Sequence, residues 1–416
     1  MQCTIRLPVR LLVAPVLAAA LATPTLAAGQ AAPTDQPHVV AVQVESKEKR
    51  LHYLATAQIW ADPGDLTPQA LLAGPPLADG SGVEAALDGR PLPCTFAKPG
   101  KTMGGNTRKF SCTTATGTTI RVKYSEPNKS NREVFASLAA SRLLWALGFQ
   151  TYPIYPLTLD CKDCPEDPVS GNGARAERSY LAIYQPLFGD PVIVDRSEQD
   201  QGWRWGELDK AIDSLPEGEL RSRQRQHFDA LVLLGVLLQH GDRKPEQQRL
   251  ACHSQLHLQA GNVRPLGESD EPGRLSVLVE NPGATACDAP AVALQDVGAT
   301  FGGAGKMSSN STAKMNLKSW VAKPVFQSKN EPGKECRGEL TVSMAAGEGS
   351  MGDPRIGEAG RLFLVDRLRR LTDDHLRAIF KAARVDQITE DHTAIDAWVQ
   401  AFKDKVRQID ERTCAP

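Results

Sequence analysis

The sequence lacks a surplus of either charge: 48 Lys and Arg against 49 Asp and Glu leave a formal net charge of −1. A dedicated nucleic-acid binder concentrates basic residues to neutralise phosphates, so that class is not indicated. After the first 27 residues there is no apolar run approaching the roughly 20 residues that a bilayer span needs. The short run Ala230 to Leu238 fits a buried helix instead. No internal repeat is present, which argues against a solenoid or propeller. Neither G-x-S-x-G nor H-E-x-x-H occurs, so the nucleophile elbow of a serine hydrolase and the helical zinc pair of a metalloprotease are missing. Gly305-Lys306 does not end a Walker A loop, because Thr300 and Met307 stand where that loop needs Gly and Ser or Thr. What is present is ordinary for a globular chain. With 41% hydrophobic residues over 416 positions, one large domain or two to three smaller ones can bury a core without help from cross-links.

Residues 1–27 have the pattern of a secretory signal. Arg6 and Arg10 precede an apolar stretch from Leu11 to Ala22, and Thr25-Leu26-Ala27 offers small residues for cleavage. The expected destination is periplasmic or extracellular. Cys3 would leave with that segment, and the eight remaining cysteines form an even set, as an oxidising compartment favours. Their pairing is not fixed by sequence, but spacing is suggestive. Cys94 and Cys112 flank a glycine-containing hairpin, Cys252 and Cys287 bracket a polar loop, and Cys336 and Cys414 are left over. Cys161-Lys-Asp-Cys164 runs into Pro165 and Asp167-Pro168 rather than into the helix that a redox C-x-x-C opens. With no second C-x-x-C to complete a zinc ribbon, a structural disulfide is the expectation there.

Alternation of apolar residues predicts strands over His38–Val44, Tyr180–Pro186, Leu275–Glu280 and Ala291–Gln295, and a hairpin over Phe110–Tyr124 turning at Ala115-Thr116-Gly117. A broad apolar stripe predicts a helix from Ser130 to Gly148, and a second apolar helix is expected over His227–His240. Two amphipathic helices are expected over Arg361–Arg384 and Ile388–Arg407. Residues 62–92 read as irregular, and 298–335 as a long loop with one helical turn that carries Lys306, Lys314, Lys318 and Lys323. Those lysines suit either a solvated loop or an anionic substrate. Trp203 and Trp205 suit core packing, with a sugar-stacking platform as the alternative; His253 and His257 suit ordinary surface positions. The expected class is α+β, with strands and one long helix over 28–185 and a mainly helical remainder over 186–416.

Four segments carry chemistry. The first is His240-Gly-Asp242-Arg-Lys244-Pro-Glu-Gln247, following an apolar helix. A carboxylate there can orient an attacking hydroxyl, a lysine two positions on can neutralise a migrating phosphoryl group, and an amide oxygen three further on can hold a divalent cation. The second is Gln295-Asp296-Val297-Gly298, whose carboxylate could bind the same cation and which could equally be a plain strand-ending turn. The third is Lys123 within Ile120-Arg-Val-Lys-Tyr124, and the fourth is Glu133, able to pair with it. Glu133 also completes Ser130-Asn-Arg-Glu133, a helix capping box that needs no catalysis.

In this order the four segments resemble the kinase-like superfamily, where the first element reads H-x-D-x-K-P-E-N and the second D-F-G. The short Lys-to-Glu interval looks closer to phosphatidylinositol 3/4-kinases, HipA-type toxin kinases and secretory-pathway kinases. The resemblance spans roughly residues 94–410. It implies a two-lobed fold with ATP in the cleft and Mg²⁺ or Mn²⁺ on Asp296 and Gln247. Asp242 would be the catalytic base, with Lys244 and His240 in the same loop, and Lys123 held by Glu133 would contact phosphates. Gly104 and Gly105 stand where a phosphate-covering loop would lie, but with Gly100 they do not spell G-x-G-x-x-G and equally suit a plain hairpin turn. Other departures are Gln247 for Asn, the 54 positions between Asp242 and Asp296, and the lack of an A-P-E element. The resemblance implies transfer of phosphate to a hydroxyl of a protein, lipid or sugar; the alternative is an inactive, pseudokinase-type binding module.

Overall fold

The computed structural model describes residues 41–44, 47–77, 79–98, 107–186, 192–195, 202–252, 290–306, 313–328, 333–390 and 392–415. Within them the strands are β1 (Ala41–Val44), β2 (Leu92–Ala97), β3 (Lys109–Thr114), β4 (Thr119–Ser125), β5 (Tyr155–Cys164), β6 (Ala176–Tyr184), β7 (Val192–Asp195), β8 (Gln248–Cys252), β9 (Pro290–Leu294), β10 (Cys336–Arg337) and β11 (Arg355–Ile356). The helices are α1 (Lys47–Thr56), α2 (Pro68–Ala73), α3 (Arg132–Ala146), α4 (Trp205–Asp213), α5 (Glu219–Leu237), α6 (Leu317–Val321), α7 (Glu358–Leu368), α8 (Asp373–Ala382) and α9 (Ile395–Asp410).

The period-two pattern of Phe110, Ile120, Val122 and Tyr124 does what alternation should: these side chains point to one side and are buried. They fill a closed barrel of order β2-β3-β4-β6-β5, antiparallel throughout except where β5 runs parallel to β2. Phe110, Tyr124 and Tyr180 meet edge to face inside it, with ring centroids 4.9 to 5.8 Å apart. The Cys94–Cys112 disulfide joins β2 to β3, Cys161–Cys164 spans the register shift within β5, and Cys336–Cys414 ties the chain end to β10. The Cys252–Cys287 pairing lies outside the described residues, as do the Leu275–Glu280 strand, His253, His257, Gly104 and Gly105.

A second sheet has the order β1-β7-β8-β9, with β8 and β9 antiparallel. α1 packs on this sheet, and α3 packs on β4 and β6 of the barrel. α3 is buried along almost its whole length, its polar Arg132, Glu133, Ser137, Ser141 and Arg142 included. It ends at Gly148, whose φ of +82° and closeness to the Ala61 carbonyl leave no room for a side chain. α5 packs on α7, α2 on α8, and α1 on α4. Trp203 and Trp205 are fully buried, so packing, not sugar stacking, is their role.

Three expectations need correction. Residues 62–92 are not wholly irregular: Thr67 accepts a hydrogen bond from the Ala70 N–H at 3.1 Å and Pro68 opens α2. The Arg361–Arg384 helix is two helices, because Thr372 caps a fresh start. The capping box at Glu133 does not form; Asn131 is the N-cap residue of α3, and the Glu133 carboxylate is engaged elsewhere.

Candidate active site

Strand β4 buries Val122 and Tyr124 in the barrel and therefore turns Lys123 outward, toward α3. A short turn returns the chain so that Glu133 falls in the first turn of that helix. The Lys123 Nζ donates to Glu133 Oε1 at 2.7 Å and to Asp296 Oδ2 at 3.2 Å. Residues 10 and 173 positions apart thus meet at one ammonium group. The other Glu133 oxygen, Oε2, accepts from Lys314 Nζ at 2.6 Å and from the Thr107 hydroxyl at 2.5 Å. Glu133 is 4% exposed, so this carboxylate is a buried hub for three segments. Gly298 makes the approach possible: a Cβ there would lie 2.1 Å from Glu133 Cγ.

Pairing of β8 with β9 joins the other two segments. The Gln247 carbonyl accepts from the Gln295 and Asp296 N–H groups at 2.9 and 3.2 Å, which sets Asp296 beside the end of the Asp242 loop. The Gly298 N–H donates to Asp296 Oδ1 at 3.1 Å and fixes that carboxylate. Gln247 Nε2 donates to Asp242 Oδ2 at 2.9 Å, and Lys244 Nζ lies 3.4 Å from Asp242 Oδ1. The loop itself is anchored by Arg243, which is buried against the Trp205 ring at 4.0 Å and donates to the His240 and Met351 carbonyls. Burial lowers the Arg243 guanidinium to about 9.

Lys123, Glu133, Asp242, Lys244, Gln247 and Asp296 line one cleft of about 810 Å³, together with Lys109, Lys129, Lys306, Lys314 and Ser343. Burial alone would pull Lys123 down; the Asp296 and Glu133 carboxylates more than offset it and hold the ammonium well above its ordinary value. Burial would likewise raise Glu133, but Lys123 and Lys314 hold it well below the usual carboxylate range. Lys109, opposite Lys123 in the β3–β4 register, is lowered by burial and then by Lys123 and Arg121. His240 is 1% exposed and does not line the cleft; burial and then Arg243 push its ring down to about 4, so it is neutral near pH 7.

No group of three or more His, Cys, Asp or Glu side chains suited to a metal occurs among the described residues. A hard divalent cation can nonetheless take carboxylate and amide oxygens together. Asp296 offers a carboxylate, and Gln247 Oε1 is buried without a hydrogen-bond partner among the described residues. An unpaired buried acceptor beside a carboxylate is the donor set such a cation would complete.

The structure therefore brings together Lys123, Glu133, Asp242, Lys244, Gln247 and Asp296 and leaves His240 beneath them. Sequence reasoning missed Thr107 and Ser343 and left Lys314 as a loop lysine. Only contacts across long sequence separations reveal them. No protein-family model matches the chain, and no curated protein matches it. Among solved structures it is similar to the proinflammatory kinase CtkA of Helicobacter pylori, at 12% identity and a TM-score of 0.37, over 77% of this chain and 96% of that one. At that level of likeness nothing about the chemistry of this chain follows from the neighbour.

Proposed function

We propose that the protein is an ATP-dependent phosphotransferase of kinase-like type that acts on a hydroxyl of a protein, lipid or sugar. The observation that carries this reading is the convergence of Lys123, Glu133 and Asp296 in one ion-paired cluster that lines the same cleft as Asp242 and Gln247. In this reading the barrel with α3 is one lobe, the helical remainder is the other, and nucleotide lies between them. Lys123 binds phosphate oxygens and is kept charged and aimed by Glu133. Asp242 accepts the proton of the attacking hydroxyl, and Lys244 offsets charge that develops on the phosphoryl group. Mg²⁺ or Mn²⁺, held by Asp296 and Gln247, would supply the remaining charge neutralisation. The disulfides within the described residues fit an exported enzyme.

The test is thermal unfolding with ATP and Mg²⁺ or Mn²⁺, run beside ADP release. Nucleotide at about a hundred times its Kd should stabilise the protein by about 2.7 kcal/mol. Asp296→Ala should lose the metal-dependent part of that shift. Asp242→Asn should keep the shift and lose about 10² to 10⁴ in turnover, the usual contribution of a general base. Binding without turnover in the wild type would favour an inactive binding module, and no shift in a folded protein would end the nucleotide reading.

A further inference from the structure

Ser343 stands at the start of a single 3₁₀ turn, Met344–Ala346. A serine in that place ordinarily turns its hydroxyl onto the free N–H groups of its own turn. Here the side chain makes no such cap. Its Oγ donates instead to Asp242 Oδ1 at 3.4 Å, the oxygen that also faces Lys244 Nζ at 3.4 Å. The hydroxyl is held there by the main chain, since the Ser343 N–H donates to the Gly241 carbonyl at 2.8 Å and the Met344 N–H to that of Lys306 at 3.0 Å. Ser343 itself is 7% exposed and lines the cleft, while its neighbour Met344 is 73% exposed on the rim. A hydroxyl resting on the candidate base, with the candidate phosphoryl-neutralising lysine on the same carboxylate oxygen, occupies the position that an acceptor must reach.

We propose that Ser343 is a phosphorylation site modified in cis by the protein's own cleft. The proposal rests on the phosphotransferase reading above. Ser343 Oγ forms the new bond to the γ-phosphorus of ATP, the bond from that phosphorus to the β,γ-bridging oxygen breaks, and ADP leaves. The hydroxyl proton passes to Asp242 and from there to water. The product would place a dianion beside Lys244 and Lys306, both of which line the cleft, and so would fill the acceptor position.

The experiment incubates the full-length protein with ATP and Mg²⁺ or Mn²⁺ and maps phosphate by fragment-ion mass spectrometry. ADP release and nucleotide-induced thermal shift are measured on the same samples. The tryptic peptide Gly338–Arg355 contains Thr341, Ser343 and Ser350, so two neighbouring hydroxyls serve as internal controls. The expected result is phosphate on Ser343 alone within that peptide, approaching one per chain. Its first-order rate constant should stay unchanged over a tenfold range of protein concentration, and Asp242→Asn and Ser343→Ala should each abolish the label. Ser343→Ala must still give the nucleotide-induced thermal shift, which separates loss of the acceptor from loss of the fold. ADP release with Ser343 unmodified would overturn the proposal and leave the phosphotransferase reading standing, as would a rate that rises with protein concentration. Absence of both ADP release and nucleotide binding would overturn the two together.

Discussion

At the scale of single residues, Gly298 decides whether the cluster can form. A Cβ there would sit 2.1 Å from Glu133 Cγ and 2.8 Å from Ser137 Oγ, both on a helix that is buried on nearly all sides and cannot retreat. Gly298→Ala should therefore cost about 1–3 kcal/mol in urea unfolding, the usual range for overpacking, and should weaken nucleotide binding by displacing Glu133 from Lys123. Gly305→Ala is the matched control: nothing lies within 4 Å of its added Cβ, and a change within about 0.5 kcal/mol is expected. Equal effects of the two changes would refute the close-approach argument. Lys123, Glu133, Asp242 and Asp296 stand out in the sequence only as a set, through the order of their four segments, since each alone has a plain structural reading. Lys314 and Ser343 do not, since each acquires its meaning only from a partner more than a hundred positions away.

At the scale of elements, local signals were legible where they stood alone and were masked where a longer pattern ran over them. The β3–β4 hairpin and the helix α3 follow their apolar periods closely. The break between α7 and α8 does not, because apolar residues continue at helical spacing through Leu368 and Leu371 and hide the cap between them. The parallel closure of β2 on β5, which aligns Cys94 with Cys161, leaves no trace in either strand's own sequence. The cap is testable. Thr372 Oγ1 accepts from the His375 N–H at 3.3 Å, and His375 Nδ1 accepts from the Thr372 N–H at 3.1 Å. Thr372→Ala should lower global stability by about 1 kcal/mol, read from the urea midpoint at unchanged slope, while Thr372→Asp should recover most of it. An alanine variant as stable as the wild type would mean that packing of α8 against α2 and α9, not the cap, sets the helix boundary.

At the scale of the whole molecule, the packing of α5 on α7 carries a cost that depends on pH. Asp229 of α5 is 8% exposed; Oδ2 accepts from the Gly357 N–H at 3.2 Å, and Oδ1 lies 3.6 Å from Arg225. Burial raises its pKa from 3.8 to about 6; Arg225 and the Gly357 N–H pull the other way without cancelling that, and Asp209 adds to the rise. Below the unfolded value both states hold the proton, and above the folded value neither does. Between the two, the folded chain keeps a proton that the unfolded chain releases, so stability from this group falls as pH climbs through that window and is level above it. The difference corresponds to about 3 kcal/mol. Asp229→Asn keeps an oxygen for the Gly357 N–H and removes the titration. Its stability relative to the wild type should therefore improve by up to about 3 kcal/mol between about pH 4 and pH 6 and then stay constant. Urea unfolding of both proteins at several pH values measures this directly, and a difference that does not change with pH would show that Asp229 ionises in the fold as readily as it does in water.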